Sequence, residues 1–151
     1  MKIRTRSAEE TRRLGLALGA RLQALDLLCL YGTLGAGKTT FVQGLAKGMG
    51  FKGRVMSPTF GIARMYRAPK LILHHVDLYR VDAHHTGDIG LEELVRDPSA
   101  ACVIEWPDAG LPYLPKDRLE LRLSLSPAGG RALALKALGK RSKKLLAGLK
   151  A

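Results

Sequence analysis

The eight residues Gly32-Thr33-Leu34-Gly35-Ala36-Gly37-Lys38-Thr39 fit the pattern G-x-x-x-x-G-K-[ST], whose chemistry is the holding of phosphate groups. Glycines let the backbone curl until several amide N–H groups face one anion, and a helix opening near Lys38 adds the positive end of its dipole. By position, Lys38 sets its ammonium against the β- and γ-phosphates, and the Thr39 hydroxyl completes the coordination of Mg2+. Thr40 either bonds phosphate or starts the helix. At this chain's own Gly, Lys and Ser/Thr frequencies, the pattern would arise by accident on the order of once per hundred such chains. That rarity argues against a glycine turn that merely links strand to helix.

A phosphate-binding loop of this kind works with an acid at the end of a neighbouring apolar strand, where it orients Mg2+ or the attacking water. Asp77 follows Leu-Ile-Leu-His-His-Val and Glu105 follows Ala-Cys-Val-Ile, so both emerge at a strand's carboxyl end, the edge where open α/β sheets bind ligands. Each could equally be a surface carboxylate at a strand end, and the pattern leaves open which one touches a metal. Ser57-Pro58-Thr59-Phe60 lies between the loop helix and Asp77, where Thr59 is the candidate to sense a γ-phosphate; Ser-Pro-Thr is also an ordinary turn before a strand. Trp106, directly after Glu105, reads as a core or rim aromatic or as an anchor for a partner or nucleotide. His74 and His75, like His84 and His85, are adjacent; neighbours on a strand point to opposite faces, which argues against a shared metal site and turns His75 toward the phosphate pocket. Tyr79 and Arg80 are either core edge and solvated charge or a source of transition-state stabilisation.

These residues need elements to position them. Ser7 followed by Glu10 is a capping-box pattern, after which Leu14, Ala17, Leu18 and Leu22 recur at helical spacing and predict a helix covering a sheet. Leu27 to Tyr31 is a short apolar strand, and Thr39 to Met49 carries Phe41, Val42, Leu45 and Met49 on one helical face before Gly50 stops it. Arg54 to Met56, Phe60 to Tyr66 and Leu71 to Val76 read as strands, the last two joined by the tight connection Ala68-Pro69-Lys70. Leu91 to Val95 predicts a short helix, Ala101 to Glu105 a buried strand, and Pro107 to Pro115 a loop. Leu119 to Leu125 and Ala132 to Ala137 alternate around Pro-Ala-Gly-Gly as a hairpin. The order implies an α/β fold, a three-layer P-loop NTPase-like sandwich with a mixed sheet and antiparallel additions at one side. One domain is read over 1–138 and a basic tail over 139–151, which either forms an amphipathic helix or frays.

Composition narrows the class. The chain has 151 residues, 46% of them hydrophobic, which is material for one core. Its apolar runs fall far short of the roughly 20 residues that span a bilayer, and no apolar leader stands at the start, so a cytoplasmic protein is expected. Cys29 and Cys102 sit in apolar runs away from metal-ligand spacing and read as reduced core residues. Asn is absent, a depletion that a thermophile or a biased genome would each produce. Of the net charge of +12, seven Lys or Arg and no acid lie from Arg131 onward; this end is either a solubilising segment or a contact for an anionic partner such as nucleic acid.

In their order, Gly-x-Leu-Gly-Ala-Gly-Lys-Thr-Thr, Ser57-Pro58-Thr59-Phe60, His75-x-Asp77-x-Tyr79-Arg80, Gly90-Leu-Glu92 and Ile104-Glu105-Trp106 make the chain resemble the bacterial TsaE (YjeE) family from about the first helix to Pro107. The resemblance implies a P-loop ATPase that works with the TsaB and TsaD proteins in making threonylcarbamoyladenosine at position 37 of tRNAs. Carbamoyl transfer then belongs to TsaD, while this chain binds the complex and hydrolyses ATP to reset it. By position, Lys38 and Thr39 serve phosphate and Mg2+, Glu105 is a second Mg2+ contact, Thr59 senses the γ-phosphate and Asp77 supports water activation. Trp106 becomes a nucleotide or partner anchor. Thr33 stands where the family commonly has an acid, so that acid's part in closing the loop does not carry over; the basic end could meet tRNA or the partner complex. A GTPase would need an Asn/Thr-Lys-x-Asp motif, so ATP is preferred. The rivals are a small-molecule kinase, for which Arg64 and Arg67 are too few to furnish a lid, and an assembly factor with negligible turnover.

Overall fold

The computed structural model describes residues 1–58 and 62–149. Seven strands form one sheet in the order β1-β7-β6-β2-β5-β4-β3, with β1 Lys2–Thr5, β2 Leu27–Tyr31, β3 Ala63–Arg67, β4 Ile72–Asp77, β5 Ala100–Glu105, β6 Leu119–Leu125 and β7 Arg131–Ala137. β4, β5, β2 and β6 are mutually parallel; the runs of β4, β5 and β2 are buried on both faces, as central parallel strands are, while β6 alternates buried leucines with Glu120, Arg122 and Ser124. Antiparallel strands extend both edges, β3 on one and β7 with β1 on the other, where the sequence placed them at one side only. β1 was not foreseen: its charged residues alternate with Ile3 and Thr5, a pattern too short to separate from the helix that follows.

Helix α1, Ala8–Gly19, opens as its capping pattern dictates: the Ser7 hydroxyl accepts from Glu10 N at 3.1 Å, and the Glu10 carboxylate accepts from Arg6 N at 2.7 Å. It packs on α2, Lys38–Gly48, through glycines spaced four apart on both helices. A Cβ added at Gly15, Gly19, Gly44 or Gly48 would lie 2.0 to 2.3 Å from a backbone oxygen of the facing helix, so only hydrogen atoms separate the two backbones. Leu18, Phe41, Val42 and Leu45 then reach the sheet and join Leu28, Leu30, Leu121 and Leu133 in the larger core cluster. A smaller cluster on the opposite face gathers Leu27, Cys29, Val76, Cys102 and Ile104 under α3, Leu91–Val95. Both cysteines are free and buried there, and burial pushes the Cys29 thiol up to about 12.

Three further elements depart from the sequence reading. Residues 54–56 form no strand; Val55 is buried and the Met56 carbonyl accepts from the Tyr66 hydroxyl at 2.9 Å, which satisfies this segment without a ladder. Of the predicted strand Phe60 to Tyr66, only Ala63 onward is β3, and residues 59–61 lie outside the described residues. Pro107–Tyr113 is a 3-10 segment rather than a loop, entered through Pro107. The basic end carries α4, Lys140–Ala147, whose Leu145, with Leu149 beyond it, is buried in the larger core cluster. Asp117 starts this helix by accepting from the backbone N of Arg141 at 2.8 Å and of Ser142 at 3.0 Å.

Candidate functional site

The glycine loop turns on residues whose backbone side chains would forbid. Gly32 has φ +150°, and a Cβ there would lie 2.6 Å from the Leu123 carbonyl oxygen; Gly37 caps α2 at φ +103°. A turn from Ala36 N to Thr33 O at 3.1 Å closes the loop, and Phe41 N donating to Gly37 O at 3.0 Å starts the helix. Lys38 is buried and curls back over the loop, its Nζ donating to Gly32 O at 2.5 Å and Thr33 O at 3.0 Å. The same ammonium sits 4.3 Å from the centroid of the Trp106 ring. Burial lowers the Lys38 pKa, against the pull of Glu105 and Asp77.

The two acids end adjacent parallel strands in register, Asp77 of β4 beside Glu105 of β5. Asp77 accepts from Tyr79 N at 2.9 Å and from the Ser57 hydroxyl at 3.4 Å, and burial raises its pKa, with the Glu105 charge adding to the rise. Glu105 is 3% exposed, and its Oε1 lies 2.9 Å from His75 Nε2. The opposite ring nitrogen, His75 Nδ1, is 3.1 Å from the Tyr66 hydroxyl. Because Tyr66 spends its single proton on the Met56 carbonyl, His75 Nδ1 must donate to it. His75 is thus wholly buried behind Glu105 rather than lining the phosphate pocket, while His74 turns to Asp97 at 2.8 Å on the other face.

A cleft of about 570 Å³ brings most of the sequence-chosen residues together: Leu34, Gly35, Gly37, Lys38, Thr39, Thr40, Asp77, Glu105 and Trp106 line it, with Tyr79 and Arg80. Gly32, Thr33 and Ala36 serve through their backbone; Thr59 lies outside the described residues. Trp106 adopts the left-handed conformation, φ 55°, and stacks at 4.7 Å on Tyr79, which puts both rings at the rim. The Thr39 hydroxyl and the Asp77 and Glu105 carboxylates are hard oxygen donors of the kind a magnesium-sized dication takes, and the burial and Glu105 charge that raise the Asp77 pKa are what a cation placed there would offset. The left-handed Gly35 and Gly37 give the loop the tight turns that a backbone anion cradle needs.

Sequence reasoning missed Arg131. From β7 its Nε donates to Ala36 O at 2.9 Å and its Nη2 to Gly35 O at 3.1 Å, so a residue far along the chain holds the loop from behind. Since a trans peptide sets C=O and N–H in opposite directions, fixing the Ala36 carbonyl turns the Gly37 N–H toward the cleft. No local signal beyond its place after Gly129-Gly130 could have found it. Arg131→Ala is expected to speed amide hydrogen exchange over residues 33–37 by roughly tenfold while leaving β2 unchanged; equal protection in both proteins would show that the loop holds itself.

The family model for "Threonylcarbamoyl adenosine biosynthesis protein TsaE" matches residues 5–133. The tRNA threonylcarbamoyladenosine biosynthesis protein TsaE of Bacillus subtilis is 36% identical over 141 residues, 93% of this chain and 88% of that protein. Its namesake in Treponema pallidum is 36% identical over 136 residues, 89% of this chain and 99% of that protein. The crystal structure of Bacillus subtilis YdiB superposes with a TM-score of 0.86 at 33% identity, covering 97% of this chain and 91% of that one. A matching model over most of the chain, near-complete relatives and a shared fold lead to one conclusion: this chain belongs to the TsaE family.

Proposed function

We propose that this protein binds and hydrolyses ATP with Mg2+ in the cytoplasm and thereby serves the threonylcarbamoyl modification of adenosine 37 in tRNA, acting with TsaB and TsaD. The observation that carries the reading is the convergence of Lys38, Thr39, Asp77 and Glu105 on one cleft at the mouth of the glycine loop. Lys38 exchanges its two loop carbonyls for phosphate oxygens, Thr39 and Glu105 hold the metal, and Asp77 orients the attacking water. Thr59 senses the γ-phosphate, and Trp106 flanks the nucleotide. Bound Mg2+ supplies Lewis-acid stabilisation of phosphate charge. Isolated activity is weak, because Arg80 is the one arginine among the described residues lining the cleft, and the partner complex supplies further groups.

The test is Mg2+-dependent ATP hydrolysis by the purified protein, alone and with TsaB–TsaD and tRNA. Turnover that rises with the complex supports the reading; ATP that binds and is never hydrolysed in either condition replaces it with a nucleotide-dependent assembly factor. Asp77→Asn adds a second readout. A carboxyl whose pKa is raised on folding favours the fold below its ordinary range and loses that contribution as pH rises through the raised value. The Asn variant should therefore melt higher than wild type at neutral pH, the gap closing below about pH 4, while turnover falls by about 10²-fold. Turnover within threefold of wild type would remove Asp77 from the water-orienting role.

A further inference from the structure

Among the described residues, one face of the sheet is left without a helix over β6, β7 and β1. α1, α2 and α4 pack on the opposite face through Leu121, Leu133 and Leu135, and the smaller cluster draws only on β2, β4 and β5. Alternation and register decide what the open face displays. Ala132 and Ala134 of β7 lie between Arg4 and Lys2 of β1 on one side and β6 on the other, where Arg122 is the partner of Ala134; Lys136 pairs with Glu120. None of these residues is buried, and Lys2, Arg4, Arg122 and Lys136 are exposed.

Charge on this face is one-sided. Among the residues of these three strands Glu120 is the one carboxylate, and it is engaged by Arg118 at 3.1 Å and Arg122 at 3.7 Å. No acid follows Glu120 in the sequence. Arg122 also lies 4.1 Å over the Tyr31 ring. The centre, by contrast, is small: two alanines raise nothing above the pleat, so a backbone of phosphates can lie close to the strands. Alternate residues on a strand are roughly 7 Å apart, a spacing comparable to that of consecutive phosphates along a nucleic-acid strand.

We infer that this open face binds the phosphodiester backbone of RNA, with Lys2, Arg4, Arg122 and Lys136 as the phosphate contacts. The choice of tRNA as that RNA rests on the proposed role in tRNA modification; the surface itself stands on charge and register. The face lies apart from the nucleotide cleft, since none of the four cations lines it. Binding is read as backbone recognition, strongly salt-dependent and indifferent to sequence.

The experiment is fluorescence polarisation of a labelled tRNA transcript with the full chain across a salt series, a readout that needs no ATP hydrolysis. Lys2→Gln/Arg4→Gln/Arg122→Gln/Lys136→Gln is compared with a variant that removes equal charge elsewhere, Lys47→Gln/Lys52→Gln/Arg54→Gln/Lys70→Gln, all exposed near the far end of α2 and the β3–β4 turn. The face variant should bind at least about tenfold more weakly, and the slope of log affinity against log salt should shrink by about 3; the control should lose less than about threefold. A triple variant that keeps Arg122, and with it the Glu120 and Tyr31 contacts, should retain most of the loss, which excludes misfolding as its cause. Wild type that leaves tRNA unbound at low salt overturns the inference. So does a face variant that binds like wild type, or an equal loss in both quadruple variants, which would mark net charge rather than place. Failure of ATP turnover with tRNA binding intact would sink the proposed function and leave this surface standing.

Discussion

Lys38→Ala is expected to lower ATP turnover by at least about 10²-fold, with stability changed by no more than about 1 kcal/mol. The two effects separate because the ammonium contributes little to the fold. It lies in a desolvated place that lowers its pKa, so below that pKa the charged form is disfavoured relative to the unfolded chain, and what offsets this is two hydrogen bonds to loop carbonyls at the cleft surface. Water can take over those carbonyls once the side chain is gone. A phosphate, by contrast, loses the cation that the loop itself presents, in a cleft whose other charged side chains are the acids Asp77 and Glu105 and the cation Arg80. Trp106 makes the measurement direct: it is the chain's only tryptophan, and the Lys38 ammonium lies over its ring. An ATP titration followed by its emission should show a change in wild type that is absent from the variant. Equal affinity in both proteins would mean that the loop amides alone hold the phosphates.

Gly44→Val should lower stability by roughly 3 kcal/mol or more, seen as a melting temperature lower by about 10 °C. Helix propensity alone predicts the opposite sign for the smaller change Gly44→Ala, since alanine in a helix interior is favoured by about 1 kcal/mol. Packing overrides it. A Cβ at Gly44 lies 2.0 Å from the Arg12 carbonyl oxygen and 2.8 Å from its carbon, and Gly15 meets the Phe41 carbonyl reciprocally at 2.3 Å. These are backbone atoms, so no rotamer can give way; α1 and α2 would have to move apart and pull Leu18 and Leu45 off the sheet. Gly35→Ala provides the contrast, because a Cβ there has nothing within 4 Å and meets only the cost of φ +78°. An unchanged melting temperature for Gly44→Ala would mean that the helices separate without loss.

The glycine loop was legible because everything it needs is local. Its turns, its start of α2 and its lysine lie within eight consecutive residues, and the apolar run before it could only be a buried strand. Asp77 and Glu105 were legible for a related reason: each ends a run whose burial follows from its own composition. The glycines of the α1–α2 contact left a visible trace, a spacing of four in both helices, although only the facing backbone turned that trace into a close approach. Arg131, the His75–Tyr66 chain behind Glu105 and the burial of α4 left none, since each depends on a partner many residues away.

The residues of this chain by themselves determined a glycine loop between a strand and a helix, two acids at strand ends, and a mixed α/β sheet, because dihedral freedom, helix start and hydrophobic period are written in short windows. Tertiary structure alone decided that Asp77 stands beside Glu105, that Lys38 rests on its own loop over Trp106, that Arg131 braces that loop, and that one half-face of the sheet stays open and cationic. Those outcomes follow from strand order and register, which are set by how distant segments bury each other's surfaces and not by the residues adjacent in the chain.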